Sequence, residues 1–319
     1  MSIISSDVAK AISILQNEDL VAIPTETVYG LAGNIFSEKA VRKIFAVKQR
    51  PLYNPLIVHL YSPHQLPEIT TELPPKAQML AEAFWPGPLT LILPKKDNIP
   101  NLITAGKNTV AVRIPNHPVT LELLSKLSFP LAAPSANPFN RISPTSSAHV
   151  EAYFGDQIPM ILEGGECQAG IESTIIGFDG DHPVIYRLGS ISKEHIEAVV
   201  GKIEVRNKKE TAPDAPGMLA KHYAPRTQTI LVDDLDRIAE IIANKRVGLL
   251  VLKHEDDADG FAHIEELSPT ADLTEATANL YMSLHKLDSL KLDLIVAVRM
   301  PERGLGRSIN DRLERAASN

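Results

Sequence analysis

Cysteine is almost absent from this chain of 319 residues, whose single thiol belongs to Cys167. One cysteine cannot form a disulfide within the chain, and it cannot supply the several thiolates of a cysteine-based zinc site. The small disulfide-rich domains and the zinc-finger proteins are therefore excluded as classes.

Long apolar runs are also missing, since no stretch approaches the roughly 20 residues that a membrane-spanning helix needs. The first residues, MSIISSDVAKAIS, have neither the basic start nor the continuous apolar core of a secretion signal. We therefore expect a cytoplasmic protein without membrane contact. A content of 44% hydrophobic and 22% charged residues is typical of globular proteins, and the length suits two domains of roughly 100 to 200 residues each.

An excess of positive charge is lacking as well. The net charge is −7, and residues 1–200 carry 15 Lys and Arg against 19 Asp and Glu, or −4, which leaves −3 for the rest. Proteins that coat nucleic acid are normally basic, so we expect no DNA partner. One run has five cations and no acid between them, namely Lys39, Arg42, Lys43, Lys48 and Arg50. The first three fit a solvated helix face, whereas the last two follow at or beyond the end of that helix.

The common nucleotide and metal motifs do not occur. There is no GxxxxGK[ST] loop, and AGKNT at 105–109 precedes a strand where such a loop would open a helix. The glycine-rich run EGGECQAG at 163–170 fits either a hairpin turn or a loop that faces phosphate. No HExxH is present, and the run 255–266 has calcium-loop offsets but starts with Glu and follows a strand. We predict no metal held by protein side chains.

Apolar periodicity predicts an α/β (α+β) architecture for the first 200 residues. Helical spacing marks 5–16 and 37–47, with Ser6 and Ser37 as N-caps. Further helices are predicted at 75–85, 117–127, 145–154 and 192–200, and strands at 55–60, 89–94, 109–115, 129–135, 159–165, 172–178 and 183–189. Strands that alternate with helices and then follow one another predict one large mixed sheet with flanking helices.

The pattern changes after residue 200. Residues 201–228 contain prolines and a charge run without a sustained period, and loops of this length are usually functional or disordered. Strands at 229–232, 247–252 and 293–300 then alternate with helices at 234–244, at 271–288 and at the C-terminus. We therefore predict three parts: a large domain over 1–200, a linker over 201–228 and a small Rossmann-like α/β domain over 229–319.

One predicted strand, TVAVRIP, combines an apolar face with a polar one. Thr109, Ala111 and Arg113 share a face because side chains alternate along a strand. A guanidinium and a hydroxyl on either side of an alanine leave room for a ligand that lies flat on the sheet. A plain solvent-facing strand would have the same alternation.

Similar polar or small residues end other apolar segments, namely Ala133, Ser135 and Asn137 in PLAAPSAN, His59 in NPLIVHL, Ser173 in ESTIIGF and Arg187 in IYRLG. A buried core histidine is the ordinary interpretation of His59 alone, but together these segments predict a shared cleft. Lys48 and Arg50 precede a proline-bounded loop and combine a point charge with a planar fork, which suits phosphate and carboxylate in one site.

The stretch AIPTETVYGLAGN at 22–34 leads from a strand into hydroxyls and glycines. It is either a turn or the lip of a binding site. Glu26 within it is either a structural carboxylate tied to the backbone or a counter-charge for the cations.

Seven strings occur in order along the chain: PTETVYGL, KQRPLYNPLIVH, FWPGPLT, VAVRIPNHP, PLAAPSAN, GIESTII and RLGSIS. Together they resemble the YrdC-like threonylcarbamoyl-AMP synthases, whose domain has a twisted mixed sheet with flanking helices. APGMLAKHYAP and the ending GLGRSINDRLERAA resemble the two-domain form of that family. Gln49 replaces a frequent glycine and Ala220 a frequent larger residue, and neither change removes an expected contact.

The resemblance implies a nucleotidyltransferase that combines L-threonine, bicarbonate or CO2, and ATP with its Mg²⁺ into L-threonylcarbamoyl-adenylate and releases pyrophosphate. It also implies a partner threonylcarbamoyl transferase complex, which passes the group to an adenosine next to the anticodon of tRNA. In this family, catalysis would consist of positioning the reactants and neutralising their charge.

The family's functional residues can be transferred to the matching positions of this chain. L-threonine would be held by Thr27, His59, Arg113, Ala133 and Ser173. ATP would be held by Arg50, Asn54, Thr109, Ser135, Ser143 and Arg187, with Tyr223 where the linker closes over the nucleotide. The expected catalytic residues are Lys48, Arg50, Ser135 and Asn137, which match the KxR and SxN signature. The linker would act as a lid that keeps water from the reactive product.

Three other functions fit parts of the pattern. An RNA-binding module without turnover could use the same cations, but the acidic balance opposes it. A hydrogenase-maturation carbamoyltransferase shares the YrdC-like module but carries CxxC repeats, which one cysteine cannot provide. A YrdC-like paralogue with another substrate would not need the linker and the second domain.

Overall fold

The computed structural model describes residues 2–207, 222–235, 238, 242–254 and 260–318, and a large sheet occupies the first part. Its strands are β1 (Ile3–Ser5), β2 (Val21–Ile23), β3 (Gly30–Asn34), β4 (Ile57–His59), β5 (Leu89–Pro94), β6 (Thr109–Arg113), β7 (Leu131–Ala132), β8 (Met160–Leu162), β9 (Thr174–Asp179), β10 (His182–Arg187) and β11 (Glu204–Val205). They lie in the order β1-β8-β2-β3-β7-β4-β6-β5-β9-β10-β11, with parallel and antiparallel neighbours. The predicted mixed sheet is confirmed.

Helices flank this sheet close to the predicted positions, at Val8–Gln16, Glu38–Lys48, Leu66–Ile69, Pro75–Phe84, Asn101–Thr104, Pro118–Ser125, Ser147–Phe154 and Lys193–Val200, with a 3-10 turn at Pro63–Gln65. Ser37 is the predicted N-cap and accepts a hydrogen bond from the Ala40 amide at 3.1 Å. The prediction of Ser6 as a cap is wrong, because Asp7 caps the first helix and accepts from the Lys10 amide at 3.0 Å. A carboxylate is an equally good cap, so one residue of shift is easily missed.

Strand β3, with the sequence GLAGN, was not predicted. It lies between β2 and β7 and pairs with both, through Val21↔Ala32 and Gly33↔Ala132. A Cβ on Gly30 would lie 3.0 Å from the Ala133 Cβ, so the missing side chain allows the neighbouring segments to approach. The stretch at 22–34 is therefore two strands of the sheet joined by a short connection.

A second sheet follows at the C-terminal end, with strands β12 (Thr229–Val232), β13 (Val247–Val251), β14 (His263–Glu266) and β15 (Leu294–Val298). All its neighbours are parallel, in the order β12-β15-β13-β14. Helices Leu273–Ser289 and Gly306–Ala316 belong to this part, which agrees with the α/β prediction. Strand β14 was not predicted. Residues 208–221 of the linker, part of the helix predicted at 234–244, and residues 255–259 of the calcium-like run lie outside the described residues.

The two C-terminal helices pack on the loops of the large sheet. Ile142 and Ile171 belong to the same buried apolar cluster as Leu280. Gly170 has φ +71°, and a Cβ there would lie 2.3 Å from the Ala278 carbonyl oxygen. The loop before β9 and the Leu273–Ser289 helix are thus in close backbone contact.

Within the described part of the chain, no helix is both long and apolar enough to span a lipid bilayer.

Candidate functional site

A cavity is formed where β3, β4, β6 and β7 and the loop before β9 meet residues 222–223 of the linker. Its lining consists of Thr25, Thr27, Val28, Gly30, Arg50, Pro55, Ile57, His59, Arg113, Ala133, Pro134, Ser135, Glu172, Ser173, Arg187, His222 and Tyr223. The centre of a water molecule can reach about 50 Å³ of it, which is room for a few waters. His222 and Tyr223 form part of the wall that limits this volume.

The residues predicted for L-threonine, Thr27, His59, Arg113, Ala133 and Ser173, all line this cavity. Thr27 is fully buried on the turn between β2 and β3. Its hydroxyl lies 2.9 Å from that of Thr25, which donates to the Val28 carbonyl at 2.6 Å. The turn is therefore held by its own hydroxyl groups.

Arg113 ends β6 and carries a buried ion pair with Glu26. Its Nη2 lies 2.8 Å from Glu26 Oε1, and the two side chains are 5% and 9% exposed. The contact lacks the alignment of a hydrogen bond, so both atoms keep hydrogen-bonding capacity for a ligand. Glu26 Oε2 accepts from the Asn116 amide at 3.0 Å. Glu26 thus has both of the roles left open by the sequence, as counter-charge and as a carboxylate tied to the backbone.

His59 lies beside Arg113 in the register of β4 and β6. Its Nδ1 is 3.3 Å from the Ile57 carbonyl oxygen, which can only accept, so Nδ1 is the donor and Nε2 carries the lone pair. Burial, and then the charge of Arg113, lower the pKa of His59 to about 3. The imidazole is therefore neutral at physiological pH.

Ser173 and Arg187 form one hydrogen-bonded unit at the ends of β9 and β10. The Ser173 hydroxyl is 2.7 Å from the Thr90 hydroxyl, and Arg187 Nη2 donates to it at 3.0 Å. Arg187 Nε and Nη2 also donate to the Ser173 carbonyl at 3.0 and 2.9 Å. The guanidinium is thus oriented by the backbone next to the cavity.

Arg50 is oriented in the same way by the loop that follows it. Its Nη2 donates to Asn54 Oδ1 at 2.6 Å and to the Pro55 carbonyl at 2.8 Å. Asn54 is fully buried behind Arg50 and does not line the cavity. Its contact in the structure is with Arg50.

Lys48 and Asn137 lie beneath the cavity rather than in its wall. The Lys48 ammonium donates to the carbonyls of Ser135 and Asn137 at 2.5 and 2.6 Å. The Asn137 amide donates to the Pro138 and Arg141 carbonyls at 2.9 and 2.8 Å. The KxR and SxN motifs are therefore in contact, and Lys48 fixes the loop that presents Ser135.

Thr109 and Ser143 do not reach the cavity lining. Thr109 begins β6 opposite Pro94, whereas Arg113 ends it. The Ser143 hydroxyl donates to Glu172 Oε1 at 2.6 Å.

The side chains at or near the cavity that were not predicted include Glu172, His222 and Arg312. Glu172 lines the cavity next to Ser173, and Arg312 Nε donates to its Oε2 at 3.0 Å. The sequence signal for Arg312 is a charge within an apolar helix face, three residues after Ile309 and four before Ala316. His222 stood in the KHYAP string without an assigned role.

The glycine-rich run at 163–170 is not a hairpin, because β8 and β9 are not neighbours in the sheet. None of its residues lines the cavity. Its Ala169 amide donates to the Glu26 carbonyl at 2.7 Å, so the loop supports the β2–β3 turn.

Among the described residues, no group of three or more His, Cys, Asp or Glu side chains is arranged to hold a metal ion. The acids closest to the cavity, Glu26 and Glu172, are each paired with an arginine.

Known proteins resemble this chain over nearly its whole length. A family model described as "Telomere recombination" (Sua5_yciO_yrdC) matches residues 13–189, and one described as "Threonylcarbamoyl-AMP synthase, C-terminal domain" matches residues 191–318. The threonylcarbamoyl-AMP synthase of Pyrococcus abyssi is 40% identical over 96% of this chain and 93% of its own length. That of Bacillus subtilis is 40% identical over 97% and 92%. The crystal structure of P. abyssi Sua5 complexed with L-threonine superimposes with a TM-score of 0.92 at 39% identity, covering 99% of this chain and 98% of that one.

Proposed function

The chain belongs to the Sua5/YciO/YrdC family in its two-domain threonylcarbamoyl-AMP synthase form, and from this premise we propose that it makes L-threonylcarbamoyl-adenylate. The substrates are L-threonine, bicarbonate or CO2, and ATP, and pyrophosphate is released. One observation carries the proposal. Three oriented guanidinium groups, of Arg50, Arg113 and Arg187, line the same cavity as a neutral His59 and the hydroxyls of Thr27 and Ser173.

L-threonine is assigned to the side of the cavity formed by Thr27, His59 and Arg113. A guanidinium binds a carboxylate well, and Arg113 has an Nη2 without an aligned hydrogen bond. The P. abyssi relative has been crystallised with L-threonine, which supports the same ligand here. Ala133 and Ser173 complete this side as small neighbours of the ligand.

The reaction needs two bond-forming steps. The threonine amine first attacks CO2 and loses a proton, which gives a carbamate. A carbamate oxygen then attacks the α-phosphorus of ATP, and the bond from that phosphorus to the bridging oxygen breaks to release pyrophosphate. Two anions approach each other in this step, so fixed positive charges lower its barrier. Arg50 and Arg187, held by backbone carbonyls, are assigned to the phosphates.

Lys48 acts in this proposal through Ser135 and Asn137, because its ammonium is occupied by their carbonyls. It holds the loop that presents Ser135 to the cavity, and Asn54 orients Arg50 in the same indirect way. Thr109 and Ser143 remain predicted nucleotide contacts, and both require a larger opening than the present cavity. Mg²⁺ is expected as the ion carried on the ATP phosphates, since the paired acids near the cavity offer it no cluster of ligands.

His222 and Tyr223 are assigned to closure of the cavity. Both are buried and line the cavity, so their displacement would enlarge it. Opening of this segment admits ATP, and its return excludes water from the mixed anhydride. Residues 208–221 of the predicted lid lie outside the described residues.

Synthesis of this adenylate is the first step in the formation of threonylcarbamoyl-adenosine next to the tRNA anticodon. We further propose that a threonylcarbamoyl transferase complex receives it in the cytoplasm, where the tRNA is. The RNA-binding alternative is not favoured, because the curated relatives that match almost the whole chain are named as synthases.

Pyrophosphate release tests the proposal directly. We expect release from ATP only when L-threonine and bicarbonate are both present, and serine or valine should replace threonine poorly. Release with neither co-substrate, or equal release with other amino acids, would overturn the assignment.

A further inference from the structure

The cavity contains a carboxylate whose partners come mainly from the C-terminal part of the chain. Glu172 is 7% exposed at the side chain and accepts from Arg312 Nε at 3.0 Å. The Tyr281 hydroxyl lies 3.1 and 3.0 Å from its two oxygens, and the Ser143 hydroxyl is 2.6 Å away. Arg312 and Tyr281 lie on the two helices of the second domain, so that domain supplies the cation and one hydroxyl.

Arg312 has few other interactions. It is fully buried, its Nη1 donates to Asp311 Oδ2 at 2.8 Å, and its Nη2 makes no hydrogen bond to any described residue. Its guanidinium lies 5.0 Å from the centre of the Tyr223 ring. One arginine of the second domain thus contacts both the acid in the cavity wall and the aromatic residue that closes the cavity.

Tyr223 needs such support because of its backbone. Its φ of +61° is unusual for a bulky residue and is kept only where the surroundings hold it. Its hydroxyl makes no hydrogen bond within the described part of the chain. The ring is held between Arg312 and the ring of Tyr281, which is 5.8 Å away. A cation over an aromatic face is attractive, and more so when both are buried.

The charge of Glu172 is the second reason why Arg312 matters. Burial alone would raise the pKa of Glu172, but Arg312 and then Arg187 lower it below its ordinary value. The carboxylate is therefore ionised beside a cavity that receives the phosphates of ATP. Without Arg312, Glu172 would repel the phosphates of ATP. It would also interact more strongly with Arg187, the other cation that lowers its pKa.

We propose that Arg312 is a positioning residue through which the C-terminal domain completes the nucleotide side of the cavity. It neutralises Glu172, which therefore competes less with phosphate for Arg187, and it holds the Tyr223 ring in the closed position. Arg113 on the threonine side has its own counter-ion, Glu26, and Arg312 takes no part in that pair. This inference rests on the proposed function, and it gives the second domain a defined part in it.

The test is a double-mutant cycle of Arg312→Met and Glu172→Gln, read as KM for ATP and KM for L-threonine. Arg312→Met should raise KM for ATP on the order of tenfold or more, because a buried charge loses its partner. KM for threonine should change less than about twofold, since the two contacts are independent. Adding Glu172→Gln should return KM for ATP to within about fivefold of the wild type, because no uncompensated charge then remains.

A matched control is Arg307→Ala on the same helix. Arg307 pairs with Glu194 across the same domain interface at 2.5 Å, but it does not line the cavity. It should leave both KM values within about twofold of the wild type, as expected of a partly exposed ion pair. An Arg307→Ala effect as large as that of Arg312→Met would mean that domain docking in general, not Arg312, supports the nucleotide side.

Further variants and a binding measurement distinguish a folding defect from a loss of nucleotide binding. If Arg312→Met does not fold, the double variant and Arg312→Lys carry the test, because neither leaves Glu172 as an unpaired buried charge. Calorimetric titration with a non-hydrolysable ATP analogue is run on every variant, and it tests the inference even if the wild type fails to form the adenylate. Equal rises of both KM values, or an unchanged ATP affinity, would overturn the role of Arg312.

Discussion

The two sides of the cavity are built in different ways. On the threonine side, the charged residue and its counter-ion, Arg113 and Glu26, belong to the same domain and lie next to strands of one sheet. On the nucleotide side, Glu172 is paired with Arg312, 140 residues further along the chain and in the other domain. The first ion pair lies within the large domain, whereas the second forms only when the C-terminal domain is docked on it.

This difference suggests separate tasks for the two sides: recognition of threonine on one, and control of nucleotide entry and product release on the other. A wall made of strand ends is as rigid as the sheet, which suits recognition of a small amino acid. A wall completed by another domain can be assembled or opened by domain movement, which suits a large substrate that must enter and a product that must leave. Variants that act on one side only are therefore the most informative.

The largest effect is expected from Arg113→Ala on the threonine side. The change removes the proposed carboxylate ligand and leaves Glu26 buried without its cation, a situation that costs about 3–5 kcal/mol in other proteins. KM for threonine should rise on the order of a hundredfold or more, while KM for ATP changes little. Steady-state kinetics, with each substrate varied in turn, measure both KM values. Equal effects on the two substrates would mean that Arg113 does not belong to the threonine side alone.

A smaller effect is expected from Tyr223→Ala on the nucleotide side. Loss of the ring opens the cavity to water, so more ATP should be consumed for each adenylate recovered, on the order of several-fold. Quantification of adenylate and pyrophosphate in the same reaction gives this ratio. Tyr223→Phe separates ring from hydroxyl and should stay closer to the wild type, because the hydroxyl has no hydrogen-bond partner. A ratio that is the same for Tyr223→Ala and the wild type would remove closure from the account.

The smallest effect concerns the pH dependence of stability at the domain interface, on which only the nucleotide side depends. His149 and His285 stack across the domain interface with ring centres 3.8 Å apart. His285 also contacts the carbonyl of Ser143, whose hydroxyl donates to Glu172. Burial lowers the pKa of His149 to about 4 and, together with His149, that of His285 to about 3. The interface therefore prefers neutral rings.

The direction of the pH effect follows from these values. In the unfolded chain both histidines have pKa values near 6.5, which is above their values in the folded protein. Their contribution to the free energy of unfolding is therefore complete above about pH 6.5 and is lost progressively towards pH 4. His149→Phe should flatten the fall of the thermal unfolding midpoint between pH 7 and pH 4. An identical slope in variant and wild type would exclude the stacked pair as its source.

The sequence predicted that Arg113 and His59 lie side by side, because local periodicity determines their positions. Alternation along TVAVRIP brings Arg113 to the polar face, and the neighbouring strands bring His59 beside it. The same periodicity also selected Thr109, which is four residues away at roughly 3.3 Å per residue and so lies at the other end of the strand. A shared face therefore did not bring Thr109 into the cavity lining.

The nucleotide side could be predicted only in part. Arg50 and Arg187 were found, but the pairing of Glu172 with Arg312 depends on how two domains dock, and no local pattern encodes that contact. In the Gly306–Ala316 helix, Asp311 and Arg315 have the i,i+4 spacing of a surface ion pair, yet both are buried, as is Arg312. Strand β3 was missed for a similar reason, because its two glycines disfavour a strand until neighbours on both sides pair with it.

The most direct test of the central claim follows the carbon of bicarbonate into the product. The protein is incubated with ATP, L-threonine and ¹³C-bicarbonate, and the nucleotides are analysed at once by mass spectrometry. The account predicts an adenylate that contains threonine and one ¹³C atom, formed in proportion to pyrophosphate. Pyrophosphate release accompanied by unlabelled AMP or by threonyl-adenylate without the label would contradict it.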